Sequence, residues 1–476
     1  MRADSAGSAR KYCAVALMSA LTGCAAISPP LVEPQVAGFA AHIADELAKL
    51  PAPLVGALSV DDAVRRAVLY NHSIRLKELE AALALAKVRA QAGSMLPNIV
   101  AESDYYRRDR PLMSHSNLAQ TFSTSTDLRT ISRDVAISWN ILDFGLSFVR
   151  ARQGLDKVLQ QHEETKRVTA RIVEETRSLY WRAVALERLR HALSRLDREV
   201  DAAVALAGAA SLDRAIDPMI SINYQRDILN SQRELNLLQT SLAGVTDQLK
   251  QSIGSPLAER LHLAPSRQRP RLSLPTVASS DDVAVALRQR PEIRQLMYDM
   301  RITADEVHVT ILQLLPGVTL SKTFASDTNS FLLHPHWISW GSKIAGNLID
   351  LVRLPADLDA IDAQQRVHRQ NAIATAATIA MQVHVARARM AIQMRSYRDA
   401  ERFAEVQRRL LYQVRASVEL NKIGRQALAR EKLATALAEI RALIAFADLH
   451  AAFAAYATAR GDAADEYDLA ASNHSH

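Results

Sequence analysis

The chain is poor in aromatic residues, since Phe, Trp and Tyr together supply only 5% of its 476 residues. A thick globular core is built around large side chains, so this scarcity argues against a set of ordinary compact domains. Ala, Leu, Arg, Gln and Glu dominate instead, which favours long helices packed side by side. After the N-terminal region no segment offers 18 consecutive apolar residues, so the sequence predicts no transmembrane helix there.

Cysteine is almost absent as well, because the chain holds only Cys13 and Cys24. This excludes a disulfide framework or a cysteine metal cluster in the body of the protein. A short apolar run at 12–21 follows two basic residues and has the layout of a secretory signal. The following Leu-Thr-Gly-Cys resembles the lipobox of bacterial lipoproteins, which implies removal of residues 1–23 and a covalent lipid (palmitate) on Cys24. The alternative is an ordinary signal peptide that contains a cysteine.

The sequence contains no pattern that predicts a catalytic centre, a metal site or a cofactor. Its histidines are scattered, and the pairs His334/His336 and His474/His476 have no carboxylate or cysteine at ligand spacing. No Gly-rich phosphate loop or nucleophile motif is present. The formal net charge is +7, but basic and acidic residues are interleaved along the chain. We therefore expect solvated helix faces, no nucleic-acid partner and no enzymatic activity.

A proline-containing segment at 24–58, with a weak helical patch at 41–50, is predicted to be an extended tether. The first structural repeat follows at 59–254 and begins at Ser59, a predicted N-cap with an acid three residues on. A second repeat is expected at 279–461. Between and after the repeats lie a linker at 255–278 and a polar tail at 462–476.

Each repeat reads as helix, strand, loop, strand, long helix, tip and helix. In the first repeat Pro97 ends the opening helix, and Asp217-Pro218 is a predicted cap and start for the return helix. The expected strands are about 98–110 and 131–143 in the first repeat, and 317–326 and 336–349 in the second. The expected long helices are 146–207 and 356–414, and a single opening helix is expected at 281–315.

The repeat is visible in the spacing of short motifs. Leu96-Pro97 recurs as Leu315-Pro316 at a numbering offset of 219, and Gly254 recurs as Gly461 at an offset of 207. The larger offset holds before the loop between the strands and the smaller one holds after it, so a single shortening of that loop accounts for both. This pattern indicates an internal duplication.

The expected helix lengths predict how the helices pack. A helix of roughly 60 residues is about 90 Å long, and two helices of roughly 35 residues, about 52 Å each, can lie end to end beside it. We expect each long helix to lie antiparallel to an opening helix and a return helix, with the strands at one level and the tip at the far end. Such a rod buries only a narrow stripe on each helix.

The strands alternate apolar and polar residues, with Val135, Ile137 and Trp139 on one face of the second strand. An apolar outer face and a polar inner face are typical of a membrane β-barrel wall, and a soluble half-buried sheet shows the same alternation. Three of the four tryptophans, Trp139, Trp337 and Trp340, fall in these strands, where we expect a membrane aromatic belt. Four strands cannot close a barrel in a membrane, so a dimer would supply eight strands and a trimer twelve.

The chain resembles the TolC-like outer-membrane efflux proteins in their lipoprotein branch. The resemblance rests on the duplicated element order, the Leu-Pro before each first strand and the passage Ser-Trp-Asn-Ile-Leu-Asp-Phe-Gly at 138–145. It implies a mainly α homotrimer with a twelve-stranded β-barrel in the outer membrane and an α-helical tunnel through the periplasm. The tunnel would dock a periplasmic adaptor protein and an inner-membrane pump, and would passively export small molecules. Alternatives are the outer-membrane component of a type I protein secretion system and a soluble periplasmic coiled-coil scaffold.

The resemblance also assigns roles to the two tips. It implies a tunnel constriction at Glu419, with Arg415 and Lys422 as neighbours that could pair with it; the alternative is a plain solvated charge. Three copies of Glu419 would form a carboxylate ring that favours cations. The expected adaptor contacts are Ser211, Leu212, Asp213, Ser417, Val418 and Leu420. The first tip lacks the glycine that the family usually has there.

Overall fold

The computed structural model describes residues 31–48, 56–116, 121–212, 218–256, 260–264, 279–420 and 424–462. The chain divides into two compact units, Met1–Ala52 and Pro53–His476. The first contains helix α1, Glu33–Ala48, so the helical patch expected at 41–50 is a full helix of 16 residues. The predicted signal peptide, Cys24 and the tail after residue 462 lie outside the described residues.

The first repeat has the predicted order of elements, with an added hairpin and with its opening and return helices each divided in two. A short hairpin, β2 and β3, occupies the Ser/Thr-rich segment that was expected to be a loop, and the return helix is divided in two. The elements are α2 (Val60–Tyr70), α3 (His72–Ala92), β1 (Asn98–Arg107), β2 (Met113–Ser116), β3 (Thr121–Thr124), β4 (Arg129–Asn140), α4 (Ile141–Leu212), α5 (Pro218–Ser241) and α6 (Val245–Ser252).

The second repeat follows the same plan at two numbering offsets. Its elements are α7 (Ser279–Gln289), α8 (Pro291–Gln313), β5 (Gly317–Asp327), β6 (His336–Ala345), α9 (Leu348–Glu419) and α10 (Arg425–Arg460). The starts of α3 and β1 recur in α8 and β5 at a numbering offset of 219. The starts of β4, α4 and α5 recur in β6, α9 and α10 at an offset of 207. The duplication therefore holds to the exact residue for the starts of these elements.

The opening helix of each repeat is broken, although a single helix was predicted. Asn71 separates α2 from α3, and its side-chain oxygen accepts a hydrogen bond from the backbone N–H of Ser73 at 2.9 Å. Arg290 separates α7 from α8, and Pro291 follows at the first position of α8. A residue before proline is pushed out of the helical region, which explains the second break. At the start of α2, Ser59 caps the helix as predicted by accepting from the N–H of Asp62 at 3.1 Å.

The long helices begin directly after the strands, earlier than predicted. Helix α4 starts at Ile141 instead of residue 146, and α9 starts at Leu348 instead of residue 356, so both contain 72 residues. Pro355 therefore lies inside α9, although proline was expected to precede the helix. Its missing N–H removes one helical hydrogen bond, a defect that the exposed side of a helix tolerates best.

The four long strands form one antiparallel sheet in the order β1-β4-β5-β6. Each repeat contributes a hairpin, and the hairpins are joined by pairing of β4 with β5. Strands β1 and β6 are therefore the two edges of the sheet. Both have a free row of backbone hydrogen-bonding groups within the described part of the chain.

The helices next to the sheet follow the same order. Helix α4 packs against α3 on one side and α8 on the other, and α9 packs against α8. Further from the sheet, α4 and α9 both pack against α10. The outer sides of α3 and α9 have no neighbouring helix among the described residues. A single chain therefore has an unpaired edge strand and a helix with an uncovered outer side on each side: β1 with α3, and β6 with α9.

The main core lies where α2, α4, α6 and α10 meet, and it includes Leu189, Leu249 and Leu433. The Tyr180 hydroxyl donates to the carbonyl oxygen of Leu58 at 3.0 Å, and Leu58 forms an isolated parallel bridge with Leu263. Residue 58, which was assigned to the tether, therefore belongs to the folded body. Burial raises the pKa of Tyr180 to about 12.

Two glycines at equivalent positions end the repeats in the same way. Gly254 and Gly461 have φ of 64° and 95°, the left-handed region that favours glycine. A Cβ at Gly254 would lie 2.8 Å from the carbonyl oxygen of Tyr70, and one at Gly461 would lie 2.8 Å from the Cβ of Gln289. Each return helix is therefore closed by a glycine that contacts the end of the first helix of its repeat.

Helix α10 is long and apolar enough to cross a membrane by length and composition, since an 18-residue window within Ala427–Arg460 has a mean hydropathy of 1.4. Its apolar side chains pack in the core, however, where Leu433, Leu437 and Ile440 contact residues of α4 and the return helix of the first repeat. The apolar composition of α10 thus serves contacts within the protein.

Candidate membrane-facing sheet and tunnel tips

The strand register sorts the side chains of the sheet onto two faces. Because side chains alternate along a strand, register partners share a face with every second residue on either side. One face, here named the apolar face, carries Ile99, Tyr105, Val135, Ile137, Trp139, Val318, Leu320, Phe324, Ile338, Trp340 and Ile344. The opposite face, here named the polar face, carries Asn98, Ser138, Asn140, Thr319, Ser321, Thr323, Ser339 and Gly341.

The apolar face is uncovered in the single chain. Trp340 is 75% exposed and Ile344 is 72% exposed, and Ile99, Leu320 and Ile338 are also exposed. Soluble monomers rarely expose a contiguous apolar surface of this kind. A face of this composition therefore requires either lipid or another protein surface.

The three tryptophans that were predicted to form one membrane aromatic belt do not all lie on the same face of the sheet. Trp139 and Trp340 lie on the apolar face, whereas Trp337 pairs with Ala325 on the polar face. The expectation of a single belt is therefore wrong for Trp337, because residues three apart in a strand point to opposite sides. Trp139 is held near the helices, since its Nε1 donates to the carbonyl oxygen of Met95 at 3.2 Å and its ring makes an edge contact with Phe144.

The two repeats are joined below the sheet by a polar contact between α4 and α8. Arg301 donates from Nε to Asp156 at 2.6 Å, and Arg152 donates from Nε to Asp305 at 2.7 Å, so the two ion pairs are reciprocal. The carboxylates are buried, with side chains 3% and 5% exposed, and the guanidinium groups are about half exposed. These pairs fix the register of the two helices, since a shift would leave two buried carboxylates unpaired.

Glutamine side chains extend this contact along the two helices. Gln153 donates to Glu306 at 2.9 Å, and Gln295 donates to Glu164 at 3.1 Å. This polar contact between α4 and α8 was not predicted from the sequence. Its signal was present, because Arg152 and Asp156 are four residues apart, as are the complementary Arg301 and Asp305.

The tips are described only in part. Asp213 and Lys422 lie outside the described residues, and Ser211 and Leu212 are the last two residues of α4. At the second tip α9 ends at Glu419, and the N–H of Leu420 donates to the carbonyl oxygens of Ala416 and Val418. Ser417 and Val418 are half-buried in the last turn of α9.

Arg415 and Glu419 lie one helical turn apart on α9, and both are exposed. Neither forms an ion pair with any residue that the structure describes, and they do not pair with one another. The predicted closure of the tip by Arg415 is therefore not formed within one chain. A ring of Glu419 carboxylates stays a prediction.

A buried histidine lies in an aromatic cluster where α4 and α10 meet. The His450 ring stacks on Trp181 at 4.4 Å between centroids and makes an edge contact with Phe446 at 4.4 Å. Burial, reinforced by the nearby charge of Arg177, lowers the pKa of His450 to about 4. The histidine is therefore neutral at physiological pH and acts as a packing residue.

Among the described residues no group of three or more His, Cys, Asp or Glu side chains is arranged to hold a metal ion. The described residues instead form a sheet with one apolar and one polar face, and polar contacts between helices.

The fold is that of solved outer-membrane channels. The chain matches CusC with a TM-score of 0.64 and 17% identity, covering 87% of this chain and 97% of that one. It matches the Campylobacter jejuni outer membrane channel CmeC with a TM-score of 0.66 and 13% identity, covering 84% and 85%. The open state of the Neisseria gonorrhoeae outer membrane channel MtrE gives 0.63 and 14%, covering 84% and 88%. No family model and no curated protein matches the sequence. The predicted arrangement of helices and strands within one chain is thus confirmed, and closure of a barrel by several copies stays a prediction.

Proposed function

We propose that this chain, which has the fold of the outer-membrane channels, is one subunit of a homotrimeric efflux duct. Its four strands would join those of two other copies in a twelve-stranded barrel in the outer membrane. Its helices would form the wall of a tunnel in the periplasm, through which small molecules leave passively. The observation that carries the proposal is the sheet itself, with an exposed apolar face, a polar opposite face and two unpaired edges.

The need for further copies follows from the open edges. A sheet in lipid cannot leave the N–H and C=O groups of β1 and β6 without partners, because no water is available to bind them. Pairing of β6 of one copy with β1 of the next satisfies both edges and repeats until the ring closes. Three copies are proposed because the efflux proteins that the sequence resembles are homotrimers.

The internal duplication predicts which helices would meet between copies. The contact of α4 with α8 inside one chain corresponds, at offsets of 207 and 219, to a contact of α9 with α3 from the next copy. The outer sides of these two helices are the ones left open in the single chain. The residues at the corresponding positions are suited to such a contact.

Several of these positions are apolar where the intrachain contact is polar, although Arg152 and Glu306 correspond to Asp359 and Lys87. Asp156 and Arg301 correspond to Ala363 and Ala82, and Gln295 corresponds to Leu76. Leu76, Leu79 and Leu83 are all exposed in the single chain, which supports burial against a second copy.

The proposal also includes the anchor and the partners. Cys24 would carry a lipid that holds the chain at the outer membrane, and the tips would contact a periplasmic adaptor coupled to an inner-membrane pump. Type I protein secretion remains an alternative with the same fold. A soluble scaffold is disfavoured by the uncovered apolar face.

Crosslinking tests the arrangement of copies. Ala82→Cys and Ala363→Cys are combined in a background that lacks both native cysteines (Cys13→Ser, Cys24→Ser) and treated with a short thiol crosslinker in isolated outer membranes. We expect covalent dimers and trimers, because the two cysteines would face each other across copies. Each single-cysteine variant is the control and should give no ladder. A double variant that yields only monomer would overturn the proposed interface.

The anchor is tested separately by the mass of the mature chain. We expect a chain that begins at Cys24 and carries acyl groups, and Cys24→Ser should remove them. A mature chain without acyl groups would refute the lipid anchor and leave the channel proposal intact.

A further inference from the structure

The sheet separates its charges by sign as well as its apolar residues. Glu102, Asp104, Asp134 and Asp327 all lie on the polar face, together with Lys343. Arg107, Arg129, Arg133 and Lys322 all lie on the apolar face, which carries no carboxylate. Cations therefore occur on the side of the sheet where a charge is most costly in contact with lipid.

The arginines lie towards the loop end of the apolar face. Arg107 and Arg129 are register partners at the ends of β1 and β4. Arg133 is four residues, or about 13 Å, closer to the helices. It shares a row with Ser103, Ser326 and His336, which contains no apolar side chain. The next row towards the loops pairs Tyr105 with Ile131, so Arg133 lies between two rows that hold apolar side chains, and Arg107 and Arg129 lie beyond them.

The side chains of Arg107, Arg129 and Arg133 are exposed and have no ion pair or hydrogen bond with any residue that the structure describes. Arg107 and Arg129 are directly opposite each other, an arrangement of like charges that destabilises a sheet. An anion outside the chain would relieve this repulsion and would be held by planar guanidinium groups that match phosphate geometry.

Lys322 differs from the arginines because its ammonium group lies against two aromatic rings of the apolar face. Its Nζ lies 4.4 Å from the ring centroid of Trp340 and 4.9 Å from that of Phe324. The two aromatic rings stabilise its charge inside the sheet surface. The side chain is half-buried, and it is not required for an anion site at the loop end.

We propose that Arg107, Arg129 and Arg133 bind the phosphate groups of an anionic lipid in the leaflet nearest to the hairpin loops. The acyl chains would lie against the neighbouring row that contains Val135, Phe324 and Ile338, and this apolar row distinguishes a lipid from free phosphate. The inference rests on the proposed function, since it requires the apolar face to meet a membrane.

Native mass spectrometry of the full-length protein in nanodiscs tests the site. The nanodiscs contain phosphatidylcholine alone or phosphatidylcholine with lipid A, a phosphate-bearing lipid. The test variant carries Arg107→Gln, Arg129→Gln and Arg133→Gln. A control with the same loss of charge carries Arg65→Gln, Arg366→Gln and Arg409→Gln, three exposed arginines on helices.

We expect the wild type and the control to retain lipid A after release into the gas phase, and the test variant to bind it at least about tenfold more weakly. Inorganic phosphate should not displace the lipid. Equal retention by the test variant, or displacement by phosphate, would overturn the site. The single variant Arg133→Gln should show a partial loss, which provides a readout if the triple variant does not insert.

The same experiment separates this inference from the proposed function. A wild type that fails to enter nanodiscs would refute the membrane barrel and the lipid site together. A wild type that inserts as an oligomer, but binds lipid A no better than the test variant does, would refute the lipid site alone.

Discussion

Arg301 of α8 donates two hydrogen bonds to the buried carboxylate of Asp156 in α4, and so joins the second repeat to the first. One turn along both helices the charges are exchanged, since Arg152 binds Asp305. The reciprocal pairs allow a single register between α4 and α8. This register in turn places the hairpin of one repeat beside that of the other, where β4 pairs with β5.

Removing Arg301 should destabilise the protein. Arg301→Ala leaves Asp156 buried without its partner, and we expect a loss of about 2 kcal/mol in the free energy of unfolding. The value is below that for a fully buried pair because the guanidinium group is half exposed. The helical circular dichroism signal followed in denaturant measures it. Arg409→Ala, at an exposed pair with Glu405, is the control and should cost about 0.5 kcal/mol or less. Equal effects of both variants would contradict this role.

The buried His450 should make the protein less stable in acid. Its pKa is about 4 in the fold, and that of an unfolded histidine is about 6.5. Between these values the unfolded chain binds a proton that the folded chain excludes, so the free energy of unfolding falls as the pH falls from about 6.5 to 4. The loss approaches about 3 kcal/mol at pH 4.

The matched variants for this histidine are His450→Phe and His384→Gln. A phenylalanine keeps the aromatic contacts and cannot bind a proton, so His450→Phe should flatten the dependence of the melting temperature on pH in this window. His384 is exposed on α9, and its replacement should leave the slope unchanged. A slope that persists in His450→Phe would show that another group is responsible.

Glycine at position 461 should be required for stability. In Gly461→Ala the new Cβ meets Gln289 and the backbone stays in the left-handed region, so we expect a loss of about 2 kcal/mol. Gly145 lies in α4 with open space around its Cα, and Gly145→Ala should instead stabilise the helix by up to about 1 kcal/mol. Opposite shifts in melting temperature for the two variants are the expected result, and a shared direction would argue against it.

Neighbouring residues on β6 test which face meets lipid. Ile338 lies on the apolar face and Ser339 on the polar face. Ile338→Arg should impair membrane insertion, at a cost of about 1–2 kcal/mol per chain because Ile338 lies nearer the loop end than the middle of the sheet, whereas Ser339→Arg should insert normally. Outer-membrane fractionation and heat-modifiable migration in gels report insertion. Normal insertion of Ile338→Arg would show that this face lies elsewhere.

Glu419 can be tested as a constriction by conductance. If three carboxylates line the narrowest part of the tunnel, Glu419→Ala should raise the single-channel conductance in planar bilayers and weaken the preference for cations. Glu405→Ala, at an exposed position about 20 Å away along α9, is the control. An unchanged conductance in Glu419→Ala would leave the residue as an ordinary surface charge.

Much of the fold could be predicted because its signals are local and occur twice. The Leu-Pro before each first strand, the Ser59 cap and the closing glycines Gly254 and Gly461 all lie in the structure where the spacing placed them. Duplication made these signals reliable, since each could be compared with a second copy in the same chain.

Other features depend on contacts between distant parts of the chain. The break at Asn71 and the pairing of Leu58 with Leu263 involve partners that periodicity does not reveal. The position of Trp337 could have been derived, because it lies three residues from Trp340 and so must point to the opposite side of β6.

The most direct test of the account is the mass of the protein extracted from outer membranes in mild detergent. The two unpaired edges, β1 and β6, require several copies to share one closed sheet, and we predict a complex of three chains by native mass spectrometry. The same preparation should form discrete channels in planar bilayers. A stable monomer that inserts into lipid would contradict the central claim.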